Sequence, residues 1–167
     1  MIGRLEVKDY RLKIKKDLAA AREEIDRLKT QGKRVVFTNG CFDILHPGHA
    51  RYLWEARRLG DYLIVAVNSD RSVRAIKGPG RPVLDQQARS ELVAALGAVD
   101  EVLIFDEDDP LGVIQHLIPD VLVKGGDWPE EGIIGADVVK QAGGEVHRIP
   151  FVTGHSTSSI IERIRRH

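Results

Sequence analysis

The feature that most constrains the fold is the run DYLIVAVN at residues 61–68, which is apolar at consecutive positions and does not alternate with polar residues. A strand with one face in water alternates, whereas a strand covered on both faces reads as a continuous apolar run, which is typical of parallel sheets. Similar short runs lie at 34–39, 101–105, 120–125 and 145–149. We therefore predict a parallel sheet of five strands.

Segments with the spacing of amphipathic helices lie between these runs. We predict helices at 10–30, 47–59, 85–96, 110–117, 131–142 and from 156 onward, and a loop with room for a short helix at 69–83. Asp85 is the predicted N-cap of its helix. This alternation predicts an α/β, Rossmann-like, doubly wound parallel five-stranded sheet with an added N-terminal helix. The predicted domains are a helical extension, 1–32, and a main domain, 33–167.

The composition is that of one globular domain without a strongly charged partner. The chain has 167 residues, of which 43% are apolar, and a formal net charge of zero. A neutral chain gives no support for attraction to nucleic acid or to a membrane surface. An RNA-binding domain stays a weak alternative, which the basic residues of the N-terminal segment keep open. That segment is expected to dock on the main domain or to form a homodimer contact.

The single cysteine, Cys41, excludes a disulfide framework and a multi-cysteine zinc site. We interpret it as a small buried hydrophobic residue. The N-terminal stretch MIGRLEVKDYRLKIKK lacks the apolar region of a signal peptide, and no run reaches 18 apolar residues. The expected location is therefore the cytoplasm.

Two histidines, His46 and His49, enclose Pro47-Gly48 where the first predicted strand passes to a helix. The free N–H groups and the dipole of a helix start attract phosphate, and imidazole adds a directed hydrogen bond, with a positive charge if it is protonated. Gly48 allows a ligand to approach the backbone closely. The alternative is a turn in which His46 caps a loop and His49 packs on the helix. The pairing of the two histidines at this place favours a phosphate site.

Ligands of open α/β sheets bind beyond the carboxyl ends of the strands, where two further glycine-rich segments are predicted. The basic segment KGPGRP, 77–82, is suited to clamp phosphates through Lys77 and Arg81, and a merely solvated loop is the alternative. The segment KGGDW, 124–128, offers backbone that can approach a base or a sugar.

Within KGGDW, Lys124 is a candidate to neutralise a sugar phosphate and Asp127 to accept hydrogen bonds from hydroxyls, while Trp128 belongs either to the core or to a lid. The run TGHSTSSII, 153–161, opens the last predicted helix. Ser156 or Thr157 suits an N-cap, and the hydroxyl run also suits the phosphates of a nucleotide.

These segments together resemble a known family. NGCFDILHPGH is similar to the HxGH signature of the nucleotidylyltransferase superfamily, which includes cytidylyltransferases. The ordered blocks NGCFDILHPGHARYL, LGDYLIVAVNSD, KGPGRPV, LVKGGDW and GHSTSSII resemble most the heptose-1-phosphate adenylyltransferase domain of ADP-heptose synthases. Glycerol-phosphate cytidylyltransferases carry an arginine where this chain has Phe151, which argues for the heptose branch. His155 is given no role.

The resemblance implies a division of roles among the candidate residues. His46, His49 and Lys77 are the expected catalytic residues, and Lys124, Arg81 and Trp128 the expected contacts of the second substrate. Asp43 either helps to bind Mg²⁺ or stabilises the turn, and Arg89 either contacts the ligand or is a surface helix residue. The expected nucleotide contacts are Thr38, Asn39, Gly40, Phe42, Asp43, Gly48, Arg89, Gly125, Asp127, Ser156, Thr157 and Ser158.

The resemblance also implies a reaction. An adenylyl group would pass from Mg²⁺-bound ATP to D-glycero-β-D-manno-heptose 1-phosphate, and a separate sugar kinase would supply that acceptor. The alternatives are a nucleotidylyltransferase that resembles glycerol-3-phosphate cytidylyltransferase or FAD synthetase, and a nucleotide-binding regulator without catalysis. The intact pair His46 and His49, together with Lys77, argues against the regulator.

Overall fold

The computed structural model of the chain describes residues 8–126, 129, 132–150, 154 and 156–166. These residues form a parallel sheet of five strands in the spatial order β3-β2-β1-β4-β5. The strands are β1 Val35–Gly40, β2 Tyr62–Asn68, β3 Glu101–Phe105, β4 Val121–Gly125 and β5 Glu145–Ile149. The predicted fold class is confirmed, and every predicted strand lies within one residue of the observed one.

Helices connect the strands at nearly all the predicted places. They are α1 Leu18–Thr30, α2 Pro47–Arg57, α3 Asp70–Lys77, α4 Gln86–Ala94, α5 Leu111–Leu117, α6 Ala136–Gln141 and α7 Thr157–Arg165. The short helix α3 occupies the predicted loop, capped by the Ser69 side chain, and Asp85 caps α4 as predicted. Among the described residues, no helix combines the length and the hydropathy that crossing a bilayer requires.

The continuous helix predicted for residues 10–30 is wrong at its N-terminal half. A 3₁₀ turn covers Tyr10–Lys13, and α1 begins only after Asp17, whose side chain accepts the N–H of Ala20 at 2.8 Å. Between them, Ile14 pairs with Val102 at the edge of β3. The chain is extended here because the sheet edge offers hydrogen bonds that a helix would not make, and the segment covers that edge.

Two hydrophobic cores lie on the two faces of the sheet. Side chains alternate along a strand, so Val35 and Phe37 of β1 enter one core and Val36 the other. The first core is closed by α1, α5 and α6, and the second by α2 and α4. Helix α1 contributes buried Ala21 and Ile25, so the N-terminal segment docks on the sheet. The division between domains at residue 33 stays a prediction.

The strand order places the functional end of the sheet. From β1 the chain adds β2 and β3 on one side, and then crosses to add β4 and β5 on the other. Where the connections that follow two adjacent strands run in opposite directions, a crevice forms beyond the carboxyl ends of those strands. Ligands bind in this crevice in such folds. Here the crevice lies beyond the ends of β1 and β4, at Asn39-Gly40 and Lys124-Gly125.

Candidate active site

A tight turn after β1 leads the chain into the crevice. Phe42 has a positive φ of 46°, and its ring is buried with 5% exposure. A Cβ atom on Gly40 would lie 2.9 Å from that ring, so the turn requires glycine there. A positive φ is unfavourable for an aromatic residue and persists only where the surroundings fix it. The turn is therefore a rigid lead into α2.

The two histidines come together at the start of α2. His46 is the N-cap residue in an extended conformation, Pro47 follows, and the carbonyl of His46 accepts the N–H of His49 at 2.9 Å. The two imidazole rings stack with centroids 3.9 Å apart and an interplanar angle of 23°. Phe42 lies against the second ring at 5.3 Å. The structure brings the pair together, and their contact with phosphate stays a prediction.

The electrostatics of the pair favour hydrogen bonding by His49 rather than charge. Burial, together with the neighbouring His46, lowers the pKa of His49 to about 4, so this imidazole is neutral at pH 7. Its Nδ1 atom is buried and has no hydrogen-bond partner among the described residues. Buried polar atoms are nearly always satisfied, so an unsatisfied one beside a crevice is suited to a ligand.

Basic side chains surround Cys41, the first residue after β1. The charges of Lys77, Arg89 and Arg81 all act to lower the pKa of its thiol, although burial raises that pKa overall. The amino group of Lys124 also interacts with Cys41. The thiol is therefore un-ionised at neutral pH. Four basic side chains lie near it, and two of them, Arg81 and Arg89, are paired with carboxylates. Sequence reasoning found these cations one at a time but did not show that they converge on one point.

Lys124 joins the two strands on either side of the crevice. Its Nζ atom donates to Oδ1 of Asn39 at 3.2 Å, which links the end of β4 to the end of β1. Burial lowers the pKa of Lys124. Gly40 and Gly125 end the same two strands, so the structure gathers these four predicted contacts in one place.

Thr38 lies beneath this group and is fully buried. Its hydroxyl is 2.7 Å from the hydroxyl of Tyr52, which donates to the Val123 carbonyl at 3.3 Å. Burial raises the pKa of Tyr52 to about 12. Sequence reasoning missed Tyr52, although its position three residues after His49 places both on one side of α2. The Thr38 hydroxyl therefore supports the crevice floor through Tyr52.

The carboxylate of Asp43 is engaged with the clamp segment. It is buried, forms an ion pair with the Arg81 guanidinium, and accepts the N–H groups of Val83 at 2.7 Å and Leu84 at 3.0 Å. The Arg81–Pro82 peptide bond in this segment is cis. Three donors on one carboxylate favour the turn-stabilising alternative for Asp43.

A metal centre built from protein side chains does not fit these residues. Within the described part of the chain, no three His, Cys, Asp or Glu side chains are grouped to hold a metal ion. Asp43, the predicted metal contact, already receives three donors.

Arg89 lies inside the protein, so the alternative of a surface helix residue is wrong, while its contact with a nucleotide stays a prediction. It is 0% exposed. Its guanidinium donates to the carbonyls of Cys41 at 2.6 Å and Leu84 at 3.0 Å, and to the carboxylate of Asp70 at 2.8 Å. Ser90, Val93 and Ala94 on the same helix are also buried, and the four-residue spacing to Val93 was a signal of this burial. All three bonds are made to protein groups.

The remaining candidates lie at helix ends. Lys77 is exposed at the end of α3, before Gly78 with a φ of 94°. Ser156 caps α7 by exchanging hydrogen bonds with Ser159, which confirms its capping role. Thr157 and Ser158 begin α7, and the contact of this hydroxyl run with phosphate stays a prediction. Asp127, Trp128, Phe151 and His155 lie outside the described residues.

Comparison with known proteins places the chain among nucleotide-transferring enzymes. The model of the Cytidylyltransferase-like family matches residues 37–163. "Bifunctional protein HldE" of Trichlorobacter lovleyi is 52% identical over 160 residues, which is 96% of this chain and 32% of that protein. The protein of the same name from Hyphomonas neptunium is 54% identical over 84% of this chain and 29% of its own length. The chain thus spans about a third of the curated relatives that it matches.

Solved structures agree with the fold. A "lipopolysaccharide core biosynthesis protein" from Thermoplasma volcanium has a TM-score of 0.58 and 30% identity, covering 72% of this chain and 98% of its own. Pantoate-beta-alanine ligase from Francisella tularensis has a TM-score of 0.60 at 16% identity, covering 87% of this chain and 68% of its own, which shows the fold alone. With its paired histidines at the start of α2 and a family model that matches residues 37–163, the chain belongs to the cytidylyltransferase-like family of nucleotidyltransferases.

Proposed function

We propose that this nucleotidyltransferase moves AMP from Mg²⁺-bound ATP to D-glycero-β-D-manno-heptose 1-phosphate, giving ADP-heptose and pyrophosphate. The observation that carries the proposal is the identity of 49–54% to proteins named Bifunctional protein HldE over 81–96% of this chain. The likeness to a protein of lipopolysaccharide core biosynthesis points to the same class of product. Paired histidines with basic side chains nearby supply chemistry suited to this reaction.

The bond changes of the reaction ask little of an enzyme beyond alignment. An oxygen of the sugar phosphate attacks the α-phosphorus of ATP, the bond from that phosphorus to the bridging oxygen breaks, and pyrophosphate leaves with the electron pair. The nucleophile is already an anion, so no general base is required. Catalysis then consists of holding two polyanions in line and stabilising the charge that develops on the phosphoryl oxygens.

The crevice contains donors for both polyanions. We propose that His46, His49 and the start of α2 contact the triphosphate, and that the exposed Lys77 closes on its outer phosphates. Neutral His49 serves as a directed hydrogen-bond donor, because its pKa of about 4 keeps it uncharged. We propose that the half-buried Lys124, whose amino group donates to Asn39, receives the phosphate of the acceptor.

Mg²⁺ is proposed to arrive with ATP and to neutralise part of the triphosphate charge. We propose that a sugar kinase supplies the acceptor, a sugar 1-phosphate. Cytoplasmic location and a homodimer remain proposals that accompany this function.

The test is pyrophosphate release with each nucleotide and acceptor in turn. The purified chain is incubated with ATP or CTP and with heptose 1-phosphate, glycerol 3-phosphate or flavin mononucleotide. We expect release only with ATP and heptose 1-phosphate, and loss of that release in the His46→Ala/His49→Ala double variant. Release with CTP and glycerol 3-phosphate, or with ATP and the flavin, would replace the proposal by one of those activities. ATP binding without release from any acceptor would indicate a regulator.

A further inference from the structure

One guanidinium ties three separate stretches of the chain together behind the crevice. Arg89 of α4 donates to the Cys41 carbonyl in the turn after β1, to the Leu84 carbonyl before α4, and to the Asp70 carboxylate at the start of α3. The side chain of Gln86 adds a second link, since its carbonyl accepts the N–H of Asp70 at 3.0 Å. The turn at Cys41, the start of α3 and the lead into α4 are separate segments of the chain, and Arg89 is bonded to all three.

The segment 81–84 is gripped from two sides. The N–H of Leu84 donates to Asp43 at 3.0 Å, while the carbonyl of the same residue accepts from Arg89 at 3.0 Å. Asp43 also binds Arg81 and the N–H of Val83. We call Arg89 and Asp43, with the segment 81–84 that they hold, the clasp.

We propose that Arg89 is a positioning residue: through the clasp it holds Lys77 at a fixed distance from the histidine pair. The inference rests on the proposed function, because it takes these three side chains as the catalytic groups. Asp43 and Cys41 lie in the turn that leads to His46, and Asp70 begins the helix that Lys77 ends. The clasp therefore joins the two sides of the site.

Burial and bonding separate this role from a direct contact with the nucleotide. The Arg89 side chain has no exposed area, and each of its bonds satisfies a group that would otherwise lose its partner. A buried guanidinium held by two carbonyls and one carboxylate is costly to remove and costly to redirect toward a ligand. Arginine is required because its planar fork reaches three acceptors, which the single ammonium of lysine cannot do.

The first test is a double-mutant cycle on kcat with ATP and heptose 1-phosphate, using Arg89→Met, Lys77→Ala and the double variant. We expect Arg89→Met to lower kcat about 10- to 100-fold, with the KM for ATP changed less than about 3-fold. In the Lys77→Ala background the same change should cost at least about 5-fold less, because the group it positions is gone. If the loss of kcat in the double variant equals the product of the two single losses, the proposal is overturned. A KM for ATP raised tenfold in Arg89→Met at unchanged kcat would also overturn it.

The second test needs no turnover, so it also discriminates if the proposed reaction is wrong. The ring nitrogens of His49 are titrated by NMR in the wild type and in Arg89→Met. A loosened turn admits water to the ring, so the pKa of His49 should rise from about 4 by at least about one unit. A fully folded variant with an unchanged titration contradicts the proposal.

Two further variants serve as a control and as a replacement in these tests. Arg71→Met is the matched control, because Arg71 is exposed and pairs with Asp106 and Asp108 outside the clasp, and it should change neither readout. Should Arg89→Met fail to fold, Arg89→Lys replaces it, because lysine keeps the charge but cannot bond all three acceptors at once. Full activity and an unchanged His49 titration in Arg89→Lys would equally overturn the proposal.

Discussion

The two ends of the sheet use polar groups in opposite ways. At the amino end, carboxylates accept backbone N–H groups near the strand starts: Asp61 from Arg34 at 2.9 Å, Asp120 from Val35 at 2.8 Å and Asp100 from Leu63 at 2.8 Å. At the carboxyl end, imidazoles and basic side chains line the crevice instead.

The difference follows from what each end must satisfy. The first N–H of a strand has no ladder partner on one side, and an aspartate supplies an internal acceptor, so these three N–H groups and their carboxylates are satisfied within the fold. At the other end, Nδ1 of His49 is buried without a partner among the described residues. Polar groups that the fold leaves unused are the ones available for a ligand. Substitutions at the two ends should therefore affect different properties.

The largest expected effect is on catalysis, at the carboxyl end. His46→Ala or His49→Ala removes a donor from the site where charge develops, and kcat should fall about 10²- to 10³-fold. The midpoint of thermal unfolding should change little, because the rings pack beside an open crevice. Initial rates of pyrophosphate release and a melting curve measure both quantities.

The matched control for this prediction is His147→Ala. His147 lies on the exposed edge strand β5 and pairs with Glu145 at 2.8 Å. Its loss should leave kcat within about twofold of the wild type. Equal losses of activity at His147 and His49 would show that the stacked pair has no special role, and the contrast between the two ends would fail.

The next effect is on acceptor binding. Lys124→Met keeps the length of the side chain and removes its charge, so the KM for the sugar phosphate should rise about 10- to 100-fold, which corresponds to one lost charged hydrogen bond. The KM for ATP should stay within about threefold. Lys33→Met, at the amino end beside Asp61, is the control and should change neither constant. A rise confined to the KM for ATP would reassign Lys124 to the nucleotide.

The sequence predicts the strands more completely than it predicts the contacts made in the site. The strands were predictable because burial on both faces leaves continuous apolar runs such as 61–68. The break in the N-terminal helix was not, because Ile14 leaves the helical pattern to pair with Val102, a contact between residues distant in sequence.

The histidine pair was predictable from local spacing, whereas the partners of its neighbours were not. Arg89 has the residue type of a ligand contact, yet its acceptors Cys41 and Leu84 are brought to it only by the folded chain. Asp43 likewise has the residue type of a metal contact and is engaged by Arg81. A residue type indicates what a side chain can do, and tertiary contacts decide whether that capacity is already used.

At the amino end the expected effect is on stability. Asp120→Ala leaves the N–H of Val35 without its acceptor and also removes the ion pair with Lys29 at 3.3 Å, so the free energy of unfolding should fall by about 1–3 kcal/mol. The kcat should be unchanged. Urea unfolding measures the loss, and Asp108→Ala, an exposed residue at the opposite end, should change stability by less than about 0.5 kcal/mol. A catalytic defect in Asp120→Ala with normal stability would contradict the contrast.

A further effect at the amino end is a pH dependence centred on Glu101, a buried carboxylate. Among the described residues no backbone N–H donates to it, and its Oε1 atom has no hydrogen-bond partner. It is fully buried, accepts the hydroxyl of Tyr62 at 2.9 Å, and lies 3.6 Å from Nζ of Lys15. Burial raises the pKa of Glu101 to about 7, against the opposing charge of Lys15, while Glu24 adds a repulsive contribution. The folded protein therefore binds this proton more tightly than the unfolded chain, and the stability that it contributes is present below pH 4.5 and lost as the pH rises to about 7.

Glu101→Gln removes that titration while it keeps the shape of the side chain and an acceptor for Tyr62. The free energy of unfolding of the variant relative to the wild type should thus rise by about 1–3 kcal/mol between pH 5 and pH 8. The imidazole of His49 titrates in both proteins and cancels in the difference, so urea unfolding at the two pH values isolates Glu101. Glu91→Gln on the protein surface, next to Tyr10, is the control and should give a flat difference. A flat difference for Glu101→Gln as well would mean that Lys15 keeps this carboxylate ionised throughout, and the amino end would then be satisfied by charge pairing alone.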